Sequence, residues 1–403
     1  MLSFTLVFLI IFYTGFFAYS NWNNSIAGQI SYIIILFLII YTLSHKYKIK
    51  QNQLHFASYI KFLILIPIIS LIPSYIIYNQ NPIESMKALF PNFLWLFYYF
   101  CHITKPKENE IIRILLCASL CIVCIQIVQQ FVSPSFGISY NQSGEVYTDI
   151  RNGIYRYRVV FSGLFTLIIL YYYWELLKRE RNIRILFITI LMLTSTYLSL
   201  TRQLIFISIL IIILSTFINK KTNKKRVTGV IFLLILTIIL SIYSDQLFGD
   251  LINMTVEQST EEDVRVVASN YYFNRLIEQP ITFLLGNGTP AGNSTYQTLT
   301  TYEMEELGFY TSDVGFIGVW YKYGIIYTII YYIITYKIFI KYRKKINTYL
   351  LMFYCTYFFL SIMIYPFYSN ISFIIWSCIF YLTDKNINNN GTTTSNISRN
   401  TRV

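Results

Sequence analysis

Histidine is nearly missing from this chain, acidic residues are few and prolines are widely spaced: three His, 19 Asp and Glu, and nine Pro in 403 residues. With so little histidine there is almost nothing from which to build a metal site or a Ser-His-Asp set, and His45, His55 and His102 all lie at or beside the lysine-bearing ends of apolar stretches. Charge is scarce too, at 13% of residues against 55% hydrophobic, so no segment is left that could form a soluble domain of ordinary size. All six cysteines (Cys101, Cys117, Cys121, Cys124, Cys355 and Cys378) fall inside apolar stretches, which excludes an extracellular disulfide framework. Cys117, Cys121 and Cys124 share one helical face with no histidine beside them, and are expected to be small helix-packing residues rather than metal ligands.

What the chain does have is apolar length. Stretches that approach or reach membrane-spanning length occupy residues 2–19, 26–44, 58–78, 90–104, 111–132, 159–177, 185–200, 204–218, 228–243, 314–340, 348–368 and 371–382. The expected fold is therefore an all-α polytopic membrane protein of about 12 transmembrane helices, forming one domain over residues 1–383. The first stretch is followed by bulky and polar residues rather than a small-residue cleavage site, which predicts a retained span. Polar, low-complexity sequence from Lys385 onward predicts a disordered cytoplasmic tail over 384–403.

Basic residues fall in every second gap: Lys46, Lys48 and Lys50; Lys105 and Lys107; Lys178, Arg179, Arg181 and Arg184; Lys220, Lys221, Lys224, Lys225 and Arg226; Lys337, Lys341, Arg343, Lys344 and Lys345. These gaps are short, the case in which positive charge marks the cytoplasmic side, so both termini are expected inside. The net charge of +13 then reports topology, and no nucleic-acid partner is implied. The abundance of Ile, Asn, Lys and Tyr suggests an AT-rich, bacterial genome. Two long loops, 133–158 and 244–313, fall on the opposite side, and long loops gathered at one face are where function concentrates.

In the second loop, Thr260-Glu261-Glu262-Asp263 reads as a helix start, and Val264, Val267, Ala268, Tyr271 and Tyr272 recur at helical spacing up to Pro280. An amphipathic helix lying along the outer face is expected. Leu285-Gly286-Asn287-Gly288-Thr289-Pro290-Ala291-Gly292 is a glycine-rich turn. It is only a weak candidate for cradling phosphate, because neither a preceding strand nor a Lys-Ser/Thr ending accompanies it.

The basic residues left outside or near the outer boundary are Lys87, Arg151, Arg156, Arg158, Arg202, Arg265, Arg275 and Lys322, mostly arginine where the inner set is mostly lysine. Arginine's planar fork grips phosphate bidentately and stays charged when partly desolvated, so this set points to an anionic lipid headgroup. Arg202 is the sharpest case. As one helix, the apolar run 185–218 would be about 51 Å long at roughly 1.5 Å per residue, against a hydrocarbon core of about 30 Å. It would also put two basic gaps on opposite faces. Two spans joined at Ser199-Leu200-Thr201-Arg202-Gln203 resolve both conflicts and place Arg202 at the outer surface, where it either serves a ligand or snorkels to lipid phosphates. Arg156, Arg158 and Arg265 each have the alternative of a solvated salt bridge to an outer acid, Lys322 is a secondary candidate for the same anion, and Asp149, Glu145 and Glu278 are the other outer acids close to arginines. Asp313, in Thr311-Ser312-Asp313-Val314-Gly315, is either a helix cap or a general base beside the bilayer.

In the order Arg158-Val-Val-Phe-Ser-Gly163, Leu200-Thr-Arg202, Arg265 opening a helix that leads to Pro280 and Leu285-Gly-Asn-Gly288, Ser312-Asp313-Val-Gly315 and Tyr323-Gly-Ile-Ile326, the chain resembles the oligosaccharide repeat unit polymerases. These are the Wzy-type O-antigen and capsule polymerases, which form a superfamily with the O-antigen ligases. The resemblance covers about residues 150–335. It implies a membrane glycosyltransferase of the bacterial cytoplasmic membrane that transfers a glycan from undecaprenyl pyrophosphate to another lipid-linked repeat unit. It further implies that Arg158, Arg202 and Arg265 hold pyrophosphate, that Asp313 is a boundary acid, that no cofactor or metal is needed, and that a flippase and a chain-length regulator are partners. The ligases of the superfamily are expected to carry a functional histidine in the large outer loop, and this chain has none there. A lipid-linked glycan flippase is the main alternative, disfavoured because long loops follow the fifth and ninth stretches without counterparts in a matching half. A membrane acyltransferase is disfavoured by the lack of a convincing His-Asp pair.

Overall fold

The computed structural model describes residues 5–7, 9–10, 24–132, 149–151, 154–156, 162–199, 201–218 and 263–400, with side chains omitted at 24–29, 31, 149–151, 154–156, 162, 202, 216–218 and 390–400. Most of the described chain is helical. In order come α1 (Asn24–Ser44), α2 (Ala57–Ile69), α3 (Leu71–Tyr78), α4 (Pro82–Leu89), a 3-10 turn (Phe90–Leu96), α5 (Phe97–Thr104) and α6 (Glu108–Val132). A short antiparallel hairpin follows, β1 (Asp149–Arg151) and β2 (Ile154–Arg156), with Asp149 opposite Arg156. Then come α7 (Ser162–Arg179), α8 (Ile183–Leu198), α9 (Arg202–Ile218), α10 (Val264–Glu278), α11 (Pro280–Leu285), α12 (Thr295–Glu305), α13 (Gly315–Lys337), α14 (Thr348–Leu360) and α15 (Asn370–Asn400).

Among the described residues three helices are long and apolar enough to cross a membrane: Ala57–Tyr78, Glu108–Val132 and Gly315–Tyr342. Shorter apolar helices are Tyr32–Ser44, Ile183–Leu198, Gln203–Ser215 and Thr348–Leu360. The gap between these and the twelve expected spans has local causes. The stretch 90–104 starts as a 3-10 turn around Pro91 and becomes α-helical only at Phe97. The stretch 348–368 leaves the helix after Leu360. Stretch 228–243 and most of stretch 2–19 lie outside the described residues, as does 133–148 of the first long loop.

The helices pack through aromatic and aliphatic faces. Leu164, Phe165, Leu167, Ile168, Ile169, Leu170 and Tyr171 of α7 are all buried, so this helix is apolar around its circumference and central to the bundle. It packs against α6, α8 and α14, and the Tyr171 hydroxyl meets Thr356 Oγ1 on α14 at 2.6 Å. Trp376 of α15 is surrounded by Tyr331, Phe353, Tyr354, Tyr357, Phe367 and Phe380, with ring centroids between 5.1 and 5.8 Å. The α15 backbone continues as helix past the expected span end to Asn400. Its first polar turn is tied down: Asp384 and Asn386 are buried, and Asn388 Nδ2 donates to the Gln53 carbonyl at 3.0 Å. Cys117, Cys121 and Cys124 are exposed on α6, so among the described residues they do not pack between helices as expected.

One long helix is broken. Gly324 in α13 has φ 82° and ψ 167°, which interrupts the hydrogen-bond ladder and frees the carbonyls just before it. An unsatisfied carbonyl in an apolar setting costs several kcal/mol. Here the Tyr321 carbonyl accepts from Asn287 N at 2.8 Å and Asn287 Nδ2 at 3.1 Å, and the Lys322 carbonyl accepts from Gly288 N at 2.8 Å. The approach is so close that a Cβ on Gly324 would collide with the Leu284 carbonyl, and one on Gly286 with the Gly324 amide. We expect Gly324→Ala to destabilise the protein by at least about 2 kcal/mol, from backbone strain plus this collision. Thermal unfolding of the purified protein in detergent checks this, and an unchanged unfolding temperature would contradict the interlock.

Candidate functional site

The segment 263–313 folds as a cap over the first half of α13. Asp263 opens α10 by accepting from Arg265 N at 2.9 Å, an N-cap within the acidic run expected to start this helix; Thr260, Glu261 and Glu262 lie outside the described residues. Its inward stripe is Ala268, Tyr272 and Leu276, whereas Val264, expected on that face, is 53% exposed. Tyr296, Val314, Trp320 and Tyr321 complete a small apolar core beneath α10. Gln80, fully buried just after α3, fastens the far side of the cap: Oε1 accepts from Ala291 N at 3.0 Å and Ser294 Oγ at 2.8 Å, and Nε2 donates to the Thr289 carbonyl at 2.9 Å.

The glycine-rich turn has a different job from cradling phosphate. Gly286 N donates to the Thr282 carbonyl at 2.7 Å, while Asn287 N and Gly288 N serve the freed carbonyls of α13. With these three donors committed, the turn cannot offer the ring of free amides that a phosphate loop needs.

Arg275 and Glu303 form an ion pair in the cap. Arg275 Nη1 lies 2.8 Å from Glu303 Oε1, and the carboxyl side chain is fully buried. The same nitrogen donates to the Tyr271 hydroxyl at 2.8 Å, and Tyr271 donates to Glu303 Oε1 at 3.1 Å. The Tyr272 hydroxyl reaches the Phe309 carbonyl at 3.1 Å. Burial lifts the Glu303 carboxyl above its ordinary range, against the opposing pull of Tyr271 and Arg275. Burial, with the Glu303 charge adding to it, pushes the Tyr271 phenol up to about 12, so it stays a donor at every physiological pH. Arg275, expected among the anion-binding residues, is paired here with Glu303.

The other predicted residues fall in three places. Lys322 lies on α13 with its Nζ 5.1 Å from the Tyr323 ring centre and 5.3 Å from that of Tyr368. Asp313 is exposed, accepts from Ser312 Oγ at 3.1 Å, and is not the cap of α13, whose N-cap residue is Val314. Arg265 is exposed in the first turn of α10. Arg202 is the first residue of α9, with Leu204 of that helix packed against Gly163 near the start of α7. The expected interruption of 185–218 is therefore present, between α8 ending at Leu198 and α9 starting at Arg202. Arg156 ends β2, a strand that contacts α6 and α8. Arg158 lies outside the described residues. Lys87 pairs with Glu84 at 2.7 Å on the surface.

Long-range pairing supplies what sequence spacing could not. Glu303 gave no local signal, since its partner lies on another helix. At the lysine-rich end a second buried cluster joins α5, α15 and the segment just before α2: Asp384 Oδ2 accepts from the Tyr98 hydroxyl at 2.5 Å and lies 3.1 Å from His102 Nε2, while His55 N donates to Oδ1 at 3.2 Å. This is the His-Asp pair that the sequence did not reveal. It anchors the start of the polar half of α15.

The direction of the Glu303 shift sets a pH dependence. Between the ordinary value of 4.5 and the raised native value, the folded protein holds a proton that the unfolded chain has released, so stability falls as pH rises through that window. We expect the wild type to gain more unfolding temperature than Glu303→Gln when pH is lowered from neutral to about 4.5. Parallel pH profiles for the two proteins would contradict the buried carboxyl.

The chain matches no family model and no curated protein, so its functional reading rests on its own residues.

Proposed function

We propose that this chain is an oligosaccharide repeat unit polymerase, acting at the outer face of a bacterial cytoplasmic membrane on glycans carried by undecaprenyl pyrophosphate. The observation that carries the reading is the break between α8 and α9. One apolar helix ends at Leu198 and the next begins at Arg202, so an arginine opens the second. A residue type that is always charged and can fork onto two oxygens, at that position of the chain, suits an anion at the membrane boundary. In this reading the termini and lysine-rich gaps face the cytoplasm, and the start of α9 and the cap over α13 face outward.

The chemistry needs little beyond placement and charge. The acceptor hydroxyl oxygen attacks the anomeric carbon of the donor glycan, the bond from that carbon to the pyrophosphate oxygen breaks, and the hydroxyl proton passes to a base. Arg158, Arg202 and Arg265 stabilise the negative charge that collects on the leaving pyrophosphate. Asp313, exposed and with only the Ser312 hydroxyl on its carboxylate, is the base in this scheme. Arg275, neutralised by Glu303, fixes α10 and thereby the position of Arg265, ten residues earlier on the same helix. The lipid-linked substrate would arrive from a flippase, and a chain-length regulator would act on the product.

A strain deleted for this gene, complemented with wild type, Arg202→Ala or Arg265→Ala at matched expression, tests the assignment through its surface polysaccharide. Removing a charge that acts in the transition state costs roughly a hundredfold or more in rate. Single-repeat glycan without long chains is therefore expected in the deletion and in both variants. Absence of even the single repeat in the deletion would identify a flippase, and full rescue by both variants would reject these arginines.

A further inference from the structure

Lys322 differs from two other charged residues near the cap. Lys87 and Arg275 each have a carboxylate within 4 Å, at Glu84 and Glu303. Lys322 has no carboxylate at that distance among the described residues, although it is flanked along the chain by the buried rings of Tyr321 and Tyr323. Its ammonium is held between the rings of Tyr323 and Tyr368. Lys337 also lies over two rings, but at the end of α13, beside the exposed Lys341, where solvent is at hand.

The surroundings of Lys322 are built rather than incidental. Its carbonyl is held by Gly288 N, and Gly324 two residues on fixes the break in the helix, so the root of the side chain is rigid. The Tyr368 hydroxyl meets Thr311 Oγ1 at 2.9 Å, and the Tyr323 hydroxyl lies 3.5 Å from Thr289 Oγ1. Two tethered rings, each edged by hydroxyls, frame one cation. A lysine ammonium is a compact point charge that pairs with a single anionic oxygen, of a carboxylate or of a phosphate, without the bidentate fork of arginine. The Tyr368 ring, only partly buried, adds an apolar face and a polar edge that complement a pyranose, while the buried Tyr323 ring helps fix the ammonium.

We infer that Lys322, Tyr323 and Tyr368 form a subsite for a carboxylate-bearing pyranose of the glycan, separate from the residues that hold the lipid diphosphate. The inference rests on the polymerase reading for its substrate and narrows that substrate to acidic repeat units. The same cation could instead meet the lipid diphosphate itself, and the experiment distinguishes the two sources of negative charge.

The full-length protein in nanodiscs is titrated with methyl β-glucuronide, methyl β-glucoside and farnesyl diphosphate, followed by ligand-observed NMR, for wild type, Lys322→Met, Lys322→Arg and Arg202→Met. Wild type is expected to prefer the glucuronide over the glucoside by about tenfold or more. Lys322→Met should erase that preference while keeping farnesyl diphosphate binding, which also shows that the variant is folded, and Lys322→Arg should restore part of it. Equal weakening of farnesyl diphosphate and glucuronide by Lys322→Met would assign Lys322 to the diphosphate and overturn the subsite. Glucuronide binding that is absent from wild type, or unchanged in Lys322→Met, would overturn it as well. If Arg202→Met left farnesyl diphosphate binding intact while the Lys322 results held, the diphosphate assignment would fail and the acidic-sugar subsite would stand.

Discussion

The arrangement of the cap depends on how the break in α13 is satisfied. A helix in an apolar environment can open only where other groups meet the backbone atoms it releases. Here those groups are Asn287 and Gly288, delivered by a turn whose glycines permit an approach that any side chain would block. Ser74 donates to the Asn287 carbonyl and the Tyr78 hydroxyl donates to its side-chain oxygen at 3.1 Å, so α3 is drawn into the same junction. One interruption therefore joins α3, α11 and α13. It also sets the height at which Lys322 and the core under α10 stand.

Charge is arranged around that junction in two ways. Arg275 and Glu303 neutralise each other beneath the tyrosines of α10, an arrangement that holds the cap in place, because loss of either partner leaves a charge facing a desolvated site. Arg265 and Asp313 stay exposed at the surface, and Lys322 is held by aromatic rings without a carboxylate among the described residues. The first arrangement maintains the fold. The second is available for a ligand, and it is what gives the glycan-polymerase proposal its chemistry.

Much of this was legible in the sequence where the information is local. The length limit on a span exposed the break in 185–218, the Thr260–Asp263 run and Pro280 bracketed α10 although the cap proved to be Asp263 rather than a hydroxyl, and the Gly-Asn-Gly run announced a tight turn. The purpose of that turn was hidden, because the carbonyls it serves are created by Gly324, far along the chain, and a lone glycine in an apolar run does not declare a break. Pairings across long separations were equally hidden: Arg275 with Glu303 on another helix, and His102 with Asp384 across most of the protein. Span counting was coarse for a related reason, since hydropathy responds to composition and is blind to 3-10 turns such as 90–96.

The central claim is that this chain joins lipid-linked repeat units through outward-facing arginines. The most direct measurement places the purified protein in liposomes with an undecaprenyl-pyrophosphate-linked repeat unit and follows the glycan by mass spectrometry. The account predicts lipid-linked dimers and longer chains, with one undecaprenyl pyrophosphate released per linkage formed. A lipid-linked unit that crosses the bilayer without growing, or stays unchanged, would contradict it.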